Sequence, residues 1–190
     1  MSNTPQAAIA PQMVDGFATV KVMDAAGMIT VRGDFSSDEF KSTVTDATGC
    51  AFPEVNSLAS KGETHLAWMS PDELMIFCGY EAAPKMAATL QSALSSQHAL
   101  VCVVSDARAL FEIAGSGARD ALAKLTPADL SRDAFTVGTF RRTRMAQIPA
   151  GIGAMDEDRF LIMCFRSVAE YTFEILKLSA QKGGEVGFHS

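Results

Sequence analysis

Three histidines, four cysteines, one cluster of arginines and a single tryptophan are the side chains from which this sequence could build chemistry. His65 stands beside Leu66 and Trp68 in an alternating segment, His98 follows a helical pattern, and His189 lies in the closing tail. A metal site needs several ligands at a workable spacing, such as i and i+4 on a helix, and none of the three histidines has one. Cys50, Cys78, Cys102 and Cys164 are widely spaced, without CxxC or Cys/His patterns, and read as buried reduced thiols. The Gly115-Ser116-Gly117 turn joins a strand pattern to a helix start, where free N–H groups favour anions. It lacks the further glycines and the following Lys of a phosphate loop, so it reads as turn geometry. Asp156-Glu157-Asp158 reads as an acidic hairpin turn rather than a metal site, and no GxSxG elbow occurs.

Arg141, Arg142 and Arg144 form the one basic cluster. Edges of sheets and protein interfaces both favour such residues, and contact with an anion or a folate tail is the alternative. Trp68 shares a strand face with Leu66, which suits a core or subunit interface better than a cofactor platform. The 10 methionines suit adaptable packing or a partner surface. The chain holds 16 basic and 22 acidic residues, a net charge of −6, with 5 basic against 11 acidic through Gln97. Such a surface repels phosphate backbones, which argues against nucleic acid as a partner. No apolar run approaches the roughly 20 residues of a membrane helix, and the first residues lack the basic start and apolar core of a signal peptide. A cytoplasmic protein away from membranes is the expectation.

The elements that must position these residues follow from periodicity. Residues 1–17 contain Pro5 and Pro11 without a pattern and read as an extended arm. Alternation in Val20–Val22 and Met28–Gly33 across a turn at Asp24–Gly27 predicts a β-hairpin. Ser36 with Glu39 predicts a capping box for a helix that presents Phe40, Val44 and Ala47 and stops at Gly49. Cys50–Gly62 reads as irregular, and two strands follow at His65–Met69 and Glu73–Gly79 around Ser70-Pro71-Asp72. Pro84 opens a helix carrying Met86, Leu90 and Leu94. Ala99–Val104 predicts a buried strand and Ala107–Ala114 a half-buried one. Ser116 caps a helix through Leu125, Phe140–Ile148 is extended, and Phe160–Phe165 is a buried strand. Ser167 with Glu170 predicts a second capping box, for a helix lining up Val168, Tyr171, Ile175 and Leu178; residues 181–190 form a tail.

The order strand, glycine, helix, irregular stretch, two strands, helix occurs twice. Ile29–Gly33 leading to Phe40 matches Phe111–Gly115 leading to Leu122 at an offset of 82, and Asp72–Phe77 matches Asp158–Met163 at an offset of 86. The expectation is an α+β protein whose body, 18–180, consists of two pseudo-repeated halves, about 18–104 and 105–180, with mostly antiparallel sheets flanked by helices. Halves this small gain stability by packing against one another.

Ile29–Gly33 with its helix, the segment Trp68-Met69-Ser70-Pro71-Asp72-Glu73-Leu74, the run from Val104 to Leu125, and the stretch from Asp156 through the Ser167 helix together resemble the gamma subunits of heterotetrameric sarcosine oxidases. The second half is also similar to the folate-binding domain of aminomethyltransferases. The resemblance implies partnership with alpha, beta and delta subunits in an oxidoreductase complex of sarcosine catabolism and one-carbon metabolism. That complex demethylates sarcosine oxidatively to glycine, forming hydrogen peroxide and methylenetetrahydrofolate. It further implies that FAD, FMN, NAD and tetrahydrofolate belong to the other subunits, and that this chain carries no catalytic, cofactor or metal site. Two alternatives stand beside it: a stand-alone folate-binding aminomethyltransferase-like enzyme or carrier, and an adaptor that self-associates.

Overall fold

Ala26–Arg32 and Glu73–Gly79 are short, largely apolar runs buried through their middle on both faces, as central strands are, and they pair antiparallel from Ala26↔Gly79 to Arg32↔Glu73. The computed structural model describes residues 7–189. They form two compact units, one of Ala26–Ser105, the other of the residues up to Ala25 together with those from Asp106 onward. The fold is α+β.

In the continuous unit, β3 (Ala26–Arg32), β4 (Leu58–Lys61), β5 (Thr64–Ser70), β6 (Glu73–Gly79) and β7 (Leu100–Val103) form an antiparallel sheet in the order β4-β5-β6-β3-β7. Helices α1 (Asp38–Thr48) and α2 (Ala83–Ala93) place Phe40, Val44, Ala87 and Leu90 in one core with Ile29, Val31, Leu66, Leu74 and Ile76. Each large side chain buried there contributes about 1.5–3 kcal/mol. Ser37, not Ser36, caps α1, accepting from the Phe40 N–H at 3.2 Å. The expected box fails because Asp34 Oδ1 takes both the N–H and the hydroxyl of Ser36, at 2.8 and 2.7 Å. Gly49 ends the helix in the left-handed region at φ 69°, as expected. Within the stretch expected to be irregular, β4 forms by pairing with β5.

In the discontinuous unit, the sheet order is β1-β2-β8-β11-β10-β9. Its strands are β1 (Met13–Asp15), β2 (Thr19–Val22), β8 (Arg108–Ala114), β9 (Phe140–Met145), β10 (Ile148–Asp156) and β11 (Arg159–Phe165). Helices α3 (Ala118–Ala123) and α4 (Ala169–Ser179) contribute Leu122, Phe173 and Leu176 to a core with Phe111, Ile113, Ile152, Phe160 and Ile162. The buried face of α4 is Ala169, Thr172, Phe173, Leu176 and Ser179, not the expected stripe; Tyr171 and Leu178 point outward. Both stripes have helical spacing, so periodicity alone could not choose between them. Neither second-half cap forms: Gly117 and Val168 are the N-cap residues and make no side-chain bond. Of the expected arm, residues 1–6 lie outside the described residues, and Met13–Asp15 is a strand paired with β2.

The duplication is visible in the element bounds and in the register. β3 and β8 correspond at the offset of 82, and β6 with α2 corresponds to β11 with α4 at 86. The pairing Arg32↔Glu73 is matched by Ala114↔Arg159. The Gly33 N–H donates to the Asp72 carbonyl at 3.1 Å, and the Gly115 N–H to the Asp158 carbonyl at 2.9 Å.

The expected first hairpin is absent. β2 pairs with β8 and β1, while β3 pairs with β6 and β7. The strand preceding each repeat therefore enters the sheet of the other repeat. Thr19–Val22, assigned from sequence to the half 18–104, belongs to the unit built from Asp106 onward.

Candidate functional site

The expected interface residues occupy two different sheets. Arg141, Arg142 and Arg144 lie on β9, the terminal strand of the six-stranded sheet, in register with Ile152, Gly151 and Pro149. Strand alternation puts Arg142 and Arg144, both exposed, on one face and the half-buried Arg141 on the other. Three cations on a sheet edge are a common guard against unwanted strand pairing. Trp68 is half-buried on β5, opposite Leu74. The arginines thus belong to the discontinuous unit and the tryptophan to the continuous one.

Each histidine has its own surroundings. His65 Nδ1 lies 2.8 Å from the Ser60 hydroxyl, His98 is exposed, and His189 packs edge-on against Phe188. Among the described residues no group of His, Cys, Asp and Glu is arranged to hold a metal ion. Cys50, Cys78 and Cys164 are buried, and burial pushes each thiol pKa above its ordinary value, which disfavours the reactive thiolate. Cys102 departs from the expectation and is exposed, because β7 is an edge strand on which only Val101 is buried.

A cavity of about 560 Å³ in the continuous unit brings together Arg32, Asp34, Asp72, His98 and Leu100. Its carboxylates are committed. The Ser70 hydroxyl and Arg32 hold Asp72 below the usual carboxylate range, and the Ser36 hydroxyl and N–H do the same for Asp34. Such groups stay ionised and poorly basic, which suits neither a general acid nor a general base near neutral pH. A second cavity, of about 690 Å³, lies in the discontinuous unit along the outer face of α4, between Tyr171, Ile175 and Leu178 and the β1 residues Val14 and Asp15.

Sequence reasoning missed Arg119, the largest fully buried side chain. It rises from the short helix α3, and its Nη1 donates to the carbonyls of Leu130 at 2.7 Å and Phe135 at 3.1 Å. Its Nε and Nη2 donate to the Glu157 carbonyl at 3.2 and 2.9 Å. The guanidinium lies over the Phe160 ring at 5.1 Å, and Asp158 stands 4.0 Å from Nε. Burial, aided by Arg132, pulls its pKa below the ordinary value, and Asp158 and Glu157 oppose that shift. The planar fork with its five N–H donors satisfies main-chain carbonyls left by the irregular stretch between α3 and β9. The available signal was an arginine among the small and apolar residues Ala118, Ala121 and Leu122, paired with the acidic turn Asp156-Glu157-Asp158. That turn binds arginines: Arg132 reaches Glu157 at 3.4 Å and Asp158 at 3.0 Å. Gly115 and Gly117 are structural, as expected. Gly115 holds φ +108°, and a Cβ at Gly117 would collide with the Phe17 ring.

The sarcosine oxidase, gamma subunit family matches residues 32–181. The chain belongs to this family. It is similar to the sarcosine oxidase subunit gamma of Corynebacterium sp. (strain P-1), 29% identical over 167 residues that span 87% of this chain and 81% of that protein. Among solved structures it is similar to a chain of the heterotetrameric sarcosine oxidase from Corynebacterium sp. U-96 in complex with pyrrole 2-carboxylate. That likeness has a TM-score of 0.81 and 26% identity, and covers 88% of this chain and 87% of the other. The glycine cleavage system aminomethyltransferase T from Bartonella henselae shares the fold at a TM-score of 0.62 and 16% identity, over 88% of this chain and 48% of that enzyme. The family and the α+β fold expected from Trp68–Leu74 and the repeated elements are therefore borne out. No helix among the described residues is long and apolar enough to cross a membrane.

Proposed function

We propose that this gamma-family chain is the structural, non-catalytic subunit of a heterotetrameric sarcosine oxidase, joined to alpha, beta and delta chains in the cytoplasm. The observation that carries this reading is the near end-to-end likeness, in sequence and in fold, to a chain of a heterotetrameric oxidase. The holoenzyme demethylates sarcosine oxidatively to glycine, with hydrogen peroxide and methylenetetrahydrofolate formed. FAD, FMN, NAD and tetrahydrofolate sit in the larger chains. This subunit contributes a stiff body with exposed contact surfaces, among them the β9 arginines Arg141, Arg142 and Arg144, and the strand bearing Trp68.

The test is co-expression of the full chain with the alpha, beta and delta chains of its own organism, followed by size-exclusion chromatography with flavin absorbance recorded. The chain is expected to co-elute with the yellow fraction at micromolar concentration. A chain that elutes alone, or that turns over sarcosine by itself, overturns the reading.

The shared fold with an aminomethyltransferase favours one alternative, a stand-alone folate-binding protein that contacts the folate tail through Arg141–Arg144. This chain corresponds to about half of that enzyme. Calorimetry of the isolated chain with millimolar tetrahydrofolate decides the matter: no heat removes the alternative.

A further inference from the structure

We propose that the free edge of β7 receives an extended, apolar segment with basic flanks from another chain of the assembly, which adds to the sheet as its next strand. This inference rests on the subunit reading above and goes beyond it by naming the surface and the kind of partner it fits.

The internal duplication supplies the argument. β2 and β7 are equivalent strands: Thr19↔Ala114 and Val22↔Phe111 in one sheet match Leu100↔Arg32 and Val103↔Ile29 in the other. β2 is covered on its outer side by β1, from Met13↔Lys21 to Asp15↔Thr19, and the Val22 N–H donates to the Gln12 carbonyl at 2.9 Å. Among the described residues β7 ends its sheet, with β3 as its one strand neighbour. The difference is legible in exposure: Val22 is 3% exposed, its counterpart Val103 41%, and Leu100 53%. The same backbone frame therefore has an added strand at one copy and an open edge at the other.

The direction of the open groups follows from the register. The Val104 N–H donates to the Met28 carbonyl at 2.8 Å, so Cys102 and Leu100, two and four residues back, turn their main-chain groups toward β3. Those of Val101 and Val103 face outward. The side-chain amide of Gln91 holds the Val101 carbonyl at 3.0 Å and the Cys102 thiol donates to the Val103 carbonyl at 3.6 Å, so among the described residues it is the Val101 and Val103 N–H groups that stand where the carbonyls of a partner strand would reach them.

Charge separates this edge from the others. Natural edge strands are guarded by charged residues or proline. β9 carries three arginines, whereas Met86–Ser105 contains no Asp, Glu, Lys, Arg or Pro. An unguarded apolar edge in a folded chain is a template for strand addition. The surrounding unit, Ala26–Ser105, carries 4 basic and 9 acidic residues, which favours an incoming segment with basic flanks.

The experiment compares the full chain alone with the reconstituted assembly. Backbone amides of Val101 and Val103 are expected to exchange with deuterium about tenfold more slowly in the assembly. Leu100→Lys and Val103→Lys are expected to weaken co-elution with the partner chains about tenfold, while Val55→Lys, at another exposed site of the same unit, assembles like the unaltered chain. Should a lysine variant fold poorly, the amide exchange of the unaltered chain still decides. Equal exchange with and without partners, or normal assembly of both edge variants, overturns the proposal while leaving the subunit reading intact. If the unaltered chain fails to assemble, both fall. A self-paired dimer of the isolated chain that Val103→Lys dissolves without affecting assembly would assign the edge to a second copy instead, and also overturn the proposal.

Discussion

The two copies of the repeated motif tie down the same turn by different means. In Ala26–Ser105 the turn before β6 is held by the Gly33 to Asp72 main-chain bond and by an ion pair at 2.8 Å between Arg32 and Asp72, both about half exposed. In the other unit the equivalent turn has the Gly115 to Asp158 bond and surface ion pairs from Arg132 to Glu157 and Asp158, and in addition it is held from inside by the buried Arg119. Where the connection after the first helix is irregular and long, as between α3 and β9, buried carbonyls need donors, and one guanidinium serves several of them. The equivalent connection between α1 and β4, 49–57, is shorter than 124–139 and holds no buried arginine. The lesson is that two copies of a backbone can share a surface ion pair at the same turn while only one of them adds a buried guanidinium beneath it.

Breaking the interior device should have the largest effect. Arg119→Met is expected to cost on the order of 3–5 kcal/mol, because the carbonyls of Leu130, Phe135 and Glu157 lose their partner in a buried setting. Urea unfolding of the purified chain measures it. Arg119→Lys should recover only part of the loss, since an ammonium lacks the planar fork. A loss indistinguishable from that of a surface substitution would end the claim that this side chain organises the unit.

The equivalent glycines sharpen the comparison at an intermediate scale. A Cβ at Gly33 would run into the Phe40 ring, whereas one at Gly115 would make only an ordinary contact with Ala18 Cα, at 3.9 Å, but φ there is positive. Gly33→Ala should cost about 1–3 kcal/mol by overpacking, and Phe40→Leu, the residue type found at the equivalent Leu122, should relieve much of it. Gly115→Ala should cost about 1–2 kcal/mol through backbone strain, and trimming Leu122 should not help. A double-mutant cycle by urea unfolding reads the difference: coupling in the first pair and additivity in the second.

The smallest effect belongs to the surface pair. Exposed ion pairs are weak and screened by salt, so Asp72→Asn should shift the urea midpoint less than either substitution above. The sign with pH is fixed. Because the folded carboxyl titrates below its unfolded value of about 3.8, its contribution is present above that value and is lost as pH falls through the lower, folded pKa. Acid titrations of the unaltered chain and of Asp72→Asn should diverge above that window and converge below it.

Much of this fold was legible in the residues. The strands around Ser70-Pro71-Asp72, the stop at Gly49 and the 82- and 86-residue offsets all rest on local chemistry: proline geometry, the left-handed tolerance of glycine, and alternation. What escaped was non-local. Ser36, Ser116 and Ser167 look like helix caps in sequence, yet Asp34 competes for the first and the helices begin beyond the others. The two stripes of α4 have equal periodicity, and only the sheet beneath selects Phe173 and Leu176. Neighbouring strand patterns at Val20 and Ile29 suggest a hairpin because short connections usually join partners, whereas each pairs with a strand far along the chain. Arg119 was hidden because a buried arginine is specified by carbonyls that become neighbours only after folding.

The exchange of leading strands ties the order of synthesis to the order of folding. β2 leaves the ribosome early, but Val22 meets its partner Phe111 only after the whole of Ala26–Ser105 has been made. A chain cut anywhere between them strands β2 without β8, so a nascent or truncated product exposes Val20 and Val22 to any other edge nearby. Completion of this interval is therefore the step that lets β2 reach β8.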